Sequence, residues 1–150
     1  MTYKIEFVEG EHHHKRGICF LICRHRRVTA KPVFDRLSEK EKSIERLLRT
    51  RFDAWVDGHP NKAARYHGWN KSEFKGRYTR CFVFKAKVHR FYGFLCNPKT
   101  SDHSYQVCIL VCHAEKKEHE TDETDLKQVE KLRNTLKIQR AITEYFKEKQ

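Results

Sequence analysis

The sequence predicts an α+β protein, a small twisted antiparallel sheet packed by helices. Three observations lead there. Residues 77–84, 88–96 and 105–112 are rich in Phe, Tyr, Val, Ile and Leu and are bounded by turn-forming residues, so they read as consecutive strands. The links between them are too short to hold crossover helices, which makes the sheet antiparallel. Segments beginning at Ser38 and Thr121 place apolar residues at helical spacing behind capping residues. A chain of 150 residues suits one domain, 1–150, and buries a core without disulfide staples.

Taken in order, residues 2–8 and 17–23 add two strand-like runs. Between them stand His12, His13 and His14, adjacent loop histidines with no defined ligand spacing, so no built metal site is expected. Residues 24–27, RHRR, form a basic cluster. Ser38-Glu39-Lys40-Glu41 reads as a capping box, Ser38 accepting a free amide N–H and Glu41 reaching back. Ile44, Leu47, Leu48, Phe52, Trp55 and Val56 then make one apolar face, and Gly58 with Pro60 stops the helix. Residues 61–71 read as a short helical turn before Gly68, with Tyr66 and Trp69 packing locally in preference to stacking on bases.

The next two strands make a hairpin around Lys85-Ala86-Lys87. A two-residue turn at Ala86-Lys87 puts Arg90 across from Val83, with Arg80 facing the other way. A three-residue loop puts Arg90 across from Phe82, on the face of Arg80. Apolar residues occupy both faces of these strands. One face is expected to pack helices, and the other is a second core or a stacking platform. Thr121 caps the last helix, with Asp122, Glu123 and Asp125 in its favourable first turn. Its stripe is Leu126, Val129, Leu132 and Leu136. Ile138, Ile142, Tyr145 and Phe146 follow another phase, so a bend or second helix is expected near Asn134–Lys137.

The formal charge is +12, from 32 Lys and Arg against 20 Asp and Glu. Such a field recruits polyanions, nucleic acid first among them. No strongly basic amphipathic helix carries the apolar face an anionic membrane surface requires. No apolar run approaches the ~18 residues of a membrane span, and MTYKIEFVEG has no signal-peptide pattern. The cysteines sit in strand-like runs, where a thiol acts as a small hydrophobe. A reduced, cytoplasmic protein is the expectation. Cys108 and Cys112 on one strand stand ~13 Å apart, too far to share a zinc, and Cys19 and Cys23 are alike. No metal and no cofactor are expected.

The sequence shows no paired acids, Gly-rich phosphate loop or Ser-His-Asp set. Its cations point instead to RNA cleavage without a metal. The 2′-hydroxyl must lose a proton, the phosphorane needs positive charge, and the leaving 5′-oxygen needs a proton. Arg offers a planar fork for phosphate, while Lys and His offer charge or proton transfer. The candidate catalytic residues are Arg80, Arg90, His113, Lys116 and Lys117. Lys75, Arg77, His89 and Tyr92 are candidates for gripping RNA, with Tyr92, Phe91 or His89 stacking a base. Each has a structural alternative: an ion pair for the arginines, a satisfied strand-end histidine for His113, and a solvated turn for Lys116-Lys117.

VHRFYGFLC, followed by YQVCILVCHAEKK and then ETDETDLKQVEKLR, resembles the C-terminal half of RelE/HigB-type toxins of toxin–antitoxin systems, especially their phage-derived branch. Arg90 with Phe91 and Tyr92, then Ile109–Val111, Lys116-Lys117, Thr121 and Asp125-Leu126, follow the family's order. Arg80 is similar in position to the family's preceding strand arginine. The likeness covers about residues 72–133. Ala114 stands where the family usually has an aromatic, and His113 falls one place after its frequent histidine.

The resemblance implies a RelE-like microbial RNase architecture, an antiparallel sheet with helices on one side. Residues 1–16 would be an N-terminal extension carrying an extra strand, and 137–150 a C-terminal helical extension. It also implies mRNA cleavage, often on the ribosome, and neutralisation by an antitoxin protein. Two alternatives use the same residues differently: a non-catalytic nucleic-acid-binding module, and a ParE-like toxin directed at gyrase.

Overall fold

The computed structural model describes residues 2–10, 15–98, 104–116 and 122–148. Its elements run β1 (Lys4–Glu9), β2 (Arg16–Ile22), α1 (Ala30–Lys40), α2 (Lys42–Val56), β3 (Tyr66–Gly68), a 3₁₀ turn (Phe74–Gly76), β4 (Cys81–Ala86), β5 (His89–Cys96), β6 (Gln106–Glu115), α3 (Glu123–Arg133) and α4 (Leu136–Glu148). The fold is α+β, a six-stranded open sheet ordered β1-β2-β6-β5-β4-β3.

β2, β4, β5 and β6 are apolar on successive residues, not alternate ones, so both of their faces need cover. On one face α1 and α2 bury Phe34, Leu48, Phe52 and Trp55 against Ile18, Phe20, Phe84, Phe91 and Leu110. On the other, α3 and α4 bury Leu126, Val129, Ile138 and Phe146 against Leu21, Val83, Tyr92 and Ile109. The one-sided packing implied by the resemblance is therefore corrected to helices on both faces, and of the two alternatives for the second face a second core is the one observed. The antiparallel expectation holds for β4–β5–β6 but not for the whole sheet, because β2 pairs parallel to β6. A parallel pair needs a long return path. Here the chain from β2 to β6 supplies one, crossing one face as α1 and α2 and then building β3, β4 and β5.

Several boundaries differ from expectation for local reasons. Ser38 lies inside α1, and its hydroxyl donates to the Phe34 carbonyl at 3.0 Å, so no capping box forms. Val33, Phe34 and Leu37 anchor that unforeseen helix to the core. α2 ends before Gly58, whose φ of +87° suits glycine. Residues 66–68 form an edge strand and not a helical turn, because Tyr66 and Gly68 pair with Phe84 and Phe82. Tyr66 and Trp69 do pack locally, both buried. The hairpin turn is Lys87-Val88, with Lys87 left-handed at φ +55°. Thr121 lies outside the described residues. Asp122 caps α3 by accepting the Thr124 amide N–H at 2.9 Å. The expected break separates α3 from α4, and it leaves Leu136 66% exposed while Ile138, Ile142 and Phe146 are buried.

Aromatic contacts fix α2 to the sheet. Phe84 meets Phe52 at 5.0 Å and Trp55 at 5.8 Å, both edge-on, each pair contributing about 0.5–1.5 kcal/mol beyond burial. On the other side of the sheet, β5 and β6 shift register between Tyr92 and Gly93. A Cβ at Gly93 would collide with the Ile109 carbonyl on β6. Gly93→Ala is thus expected to destabilise the fold by about 2 kcal/mol or more, seen as a lower urea midpoint. An unchanged midpoint would mean that the close approach of β5 to β6 is not needed.

Candidate functional site

The end of the sheet at the β4–β5 turn gathers cationic and imidazole groups. Strand alternation sorts them onto two faces. Lys85 and Arg90 are cross-strand partners on the α3 face. Both are only 5% exposed. The Arg90 guanidinium donates through Nη1 to the Lys87 and His89 carbonyls at 2.7 and 3.0 Å. The Lys85 ammonium donates to the Ala63 carbonyl at 2.7 Å. Among the described residues, no carboxylate forms an ion pair with either. Burial lowers the pKa of both groups, and the charge of Arg90 lowers that of Lys85 further. Two adjacent buried cations are thus held by neutral backbone carbonyls.

His67 shares that face, since its β3 neighbour Tyr66 points to the opposite core. Its Nδ1 lies 2.9 Å from the Gly68 carbonyl. A carbonyl only accepts, so Nδ1 carries the proton and Nε2 keeps a lone pair. Burial lowers the His67 pKa, and the charges of Lys85 and Arg90 lower it further against the opposing Gly68 hydrogen bond and Glu73. At neutral pH the ring is an unprotonated base. Trp69 contacts His67 at 4.9 Å and stacks on Tyr92 at 6.3 Å. Burial, aided by Asp125, pushes the Tyr92 phenol up to about 12, so it keeps its proton.

The structure brings together some of the sequence candidates and separates others. Arg90 and Tyr92 stand in this cluster. Lys116 lies near its edge, its amide donating to the Val88 carbonyl at 2.7 Å. Its ammonium is 3.0 Å from Asp125 and 3.3 Å from Asp122. Burial opposes that charge, but Asp125 and Asp122 outweigh it and raise the pKa. Lys117 lies outside the described residues. Arg80 is not in the cluster: it precedes β4 and is exposed, about 16 Å along the strand from Lys85. The hairpin registers considered from sequence both miss the observed one, in which Arg90 faces Lys85. Lys75 is exposed in the 3₁₀ turn, and Arg77 reaches Glu123 at 3.8 Å in the first turn of α3.

His89 and His113 fall on the opposite face, toward α1. His89 Nδ1 and His113 Nε2 are 2.8 Å apart. Burial, His89 and Arg36 together lower the His113 pKa to about 4. The His113 amide donates to Thr29 Oγ1 at 2.9 Å, which joins this strand to the start of α1.

Sequence reasoning missed His67 and Lys85. His67 was hidden in a segment read as a turn, although Tyr-His-Gly before an aromatic was a usable edge-strand signal. Lys85 was placed inside the hairpin turn. Compared with known proteins, the chain matches no family model, no curated protein and no solved structure. No helix among the described residues is long and apolar enough to cross a membrane.

Lys85 separates binding from stability. Lys85→Met removes a buried charge without leaving a carboxylate behind, so the urea midpoint should hold or rise, by about 1 kcal/mol. Affinity for any polyanion that binds this cluster should fall, and the slope of log affinity against log salt should flatten by about one contact's worth. Unchanged affinity and slope would remove Lys85 from the interface.

Proposed function

We propose that the protein is a metal-independent endoribonuclease, a RelE/HigB-like toxin acting on mRNA, with its scissile phosphate seated on the α3 face of the β4–β5 hairpin end. One observation carries the reading: a neutral imidazole, a lysine and an arginine lie together on one face, and the two cations have no ion-pair partner among the described residues. This set replaces the one expected from sequence, in which Arg80, Arg90, His113, Lys116 and Lys117 shared the site. The resemblance over the second half of the chain supports the toxin reading, and the +12 charge supports a polyanionic substrate and an acidic antitoxin.

In this scheme His67 Nε2 takes the proton of the 2′-hydroxyl. The oxygen attacks phosphorus, forming the P–O2′ bond as the P–O5′ bond breaks. Arg90 and Lys85 hold the extra negative charge of the phosphorane. The Lys85 ammonium, its pKa lowered, gives the leaving 5′-oxygen its proton. The products are a 2′,3′-cyclic phosphate and a 5′-hydroxyl. Trp69 and Tyr92, both buried, pack beside the site and hold its wall.

A second reading, a non-catalytic RNA-binding module, is favoured by two observations. Arg80 stands far from Arg90, and Lys116 is engaged by Asp122 and Asp125. The test incubates the purified protein with single-stranded RNA in excess EDTA and maps product ends. Cleavage with cyclic-phosphate ends is expected, with His67→Ala and Arg90→Ala each slowing it about 10²-fold or more. Salt-dependent binding of RNA that stays intact would select the binding module.

The pH profile adds a check. A base of lowered pKa stays unprotonated below the ordinary histidine value of about 6.5. The rate should therefore be flat from neutral pH down past 6.5 and fall only in more acid solution. His67→Ala should abolish that acid limb. A limb centred at or above 6.5 would exclude His67 as the base.

A further inference from the structure

On the α1 face of the same sheet end, His89, His113 and Glu115 bring their ligand atoms within 4.8 Å of one another. We propose that these three residues form a binding site for a divalent transition-metal ion, zinc in the first instance, whose occupancy ties β5 to β6. This site lies across the sheet from His67, Lys85 and Arg90 and does not depend on the RNA reading.

The register builds the site. His89 is the cross-strand partner of Glu115, and His113 is the partner of Phe91, two residues further along. All three side chains therefore share one face. His89 is buried and His113 half-buried, while Glu115 is exposed, so the set is open on the Glu115 side. His113 is restrained by the Phe91 ring at 5.0 Å and by its amide hydrogen bond to Thr29. The facing ring nitrogens now share one proton at 2.8 Å. A tetrahedral metal with bonds of about 2.0–2.1 Å sets two nitrogens roughly 3.3 Å apart, so the rings need open by only about 0.5 Å. That proton moves to the outer nitrogen of its own ring, and both imidazoles ligate in the neutral form.

The donor set selects the metal class. Two imidazoles and one carboxylate suit zinc, cobalt or nickel, while magnesium and calcium prefer all-oxygen sites. Three protein ligands leave a fourth position for water. Arg36 faces His113 and works against a dication, while Glu115 supplies the compensating negative charge. Separate strands, 24 residues apart in the chain, supply the histidines, which is why no local spacing announces the site.

The test titrates the full chain with Co²⁺ alone and follows its visible absorption, with Zn²⁺ added to compete. Thermal unfolding is recorded with and without Zn²⁺. The expected result is one equivalent of saturable binding and a Zn²⁺-dependent rise in the unfolding midpoint. Both should be lost in His113→Ala and in Glu115→Gln, the latter an exposed position that leaves the fold intact. Both should survive simultaneous replacement of His12, His13 and His14 by Ala. The proposal is overturned by absence of saturable binding, by loss of binding in the His12–His14 variant, by a thiolate charge-transfer band, or by full binding in Glu115→Gln.

Discussion

Two-sided burial of the central strands is the constraint on which the rest of the structure depends. β2, β5 and β6 carry apolar side chains toward both faces, and water must be kept from each. That requirement places α1 and α2 on one side and α3 and α4 on the other. It also makes room for the parallel β2–β6 pair, whose two strands are buried on both faces. Glycine at position 93 lets β5 approach β6 closely where their register shifts, which keeps Tyr92 and Phe91 on opposite faces.

The same two-sidedness organises the chemistry. Neighbours in the chain are separated by the sheet. His89 points with His113 toward α1, while Arg90 points with Lys85 and His67 toward α3. One strand thus contributes to two polar clusters of different character. The α3 cluster joins a neutral base to two cations that have no ion-pair partner among the described residues. The α1 cluster joins two imidazoles and a carboxylate, a donor set that suits a transition metal. Burial shapes both, because it lowers the pKa of His67, His113, Lys85 and Arg90.

Much of the fold was legible in the chain. The five longer strands, the apolar face of Leu48, Phe52 and Trp55, the stop at Gly58 and the break after Arg133 all carry strong local signals. α1 was missed because Pro32 and a polar sequence disguise its Val33, Phe34 and Leu37 face. β3 was missed because three residues are too few for a periodic pattern. Of the site, Arg90 and Tyr92 were legible because a strand sets arginine among aromatics. Arg80 carried the same local signal and stands elsewhere. Lys85 was concealed by a hairpin turn displaced by one residue, enough to change every cross-strand partner, and His67 by a three-residue edge strand that read as a helical turn.

The chain by itself determined its charge, its strands and most of its helices, since those follow from composition and short-range periodicity. Tertiary structure alone decided the parallel pairing, the helices on both faces, and which cations meet. The reason is geometric. A strand's residues alternate between faces every 3.3 Å or so, and the register that aligns two strands is set by turns and packing remote from any one residue.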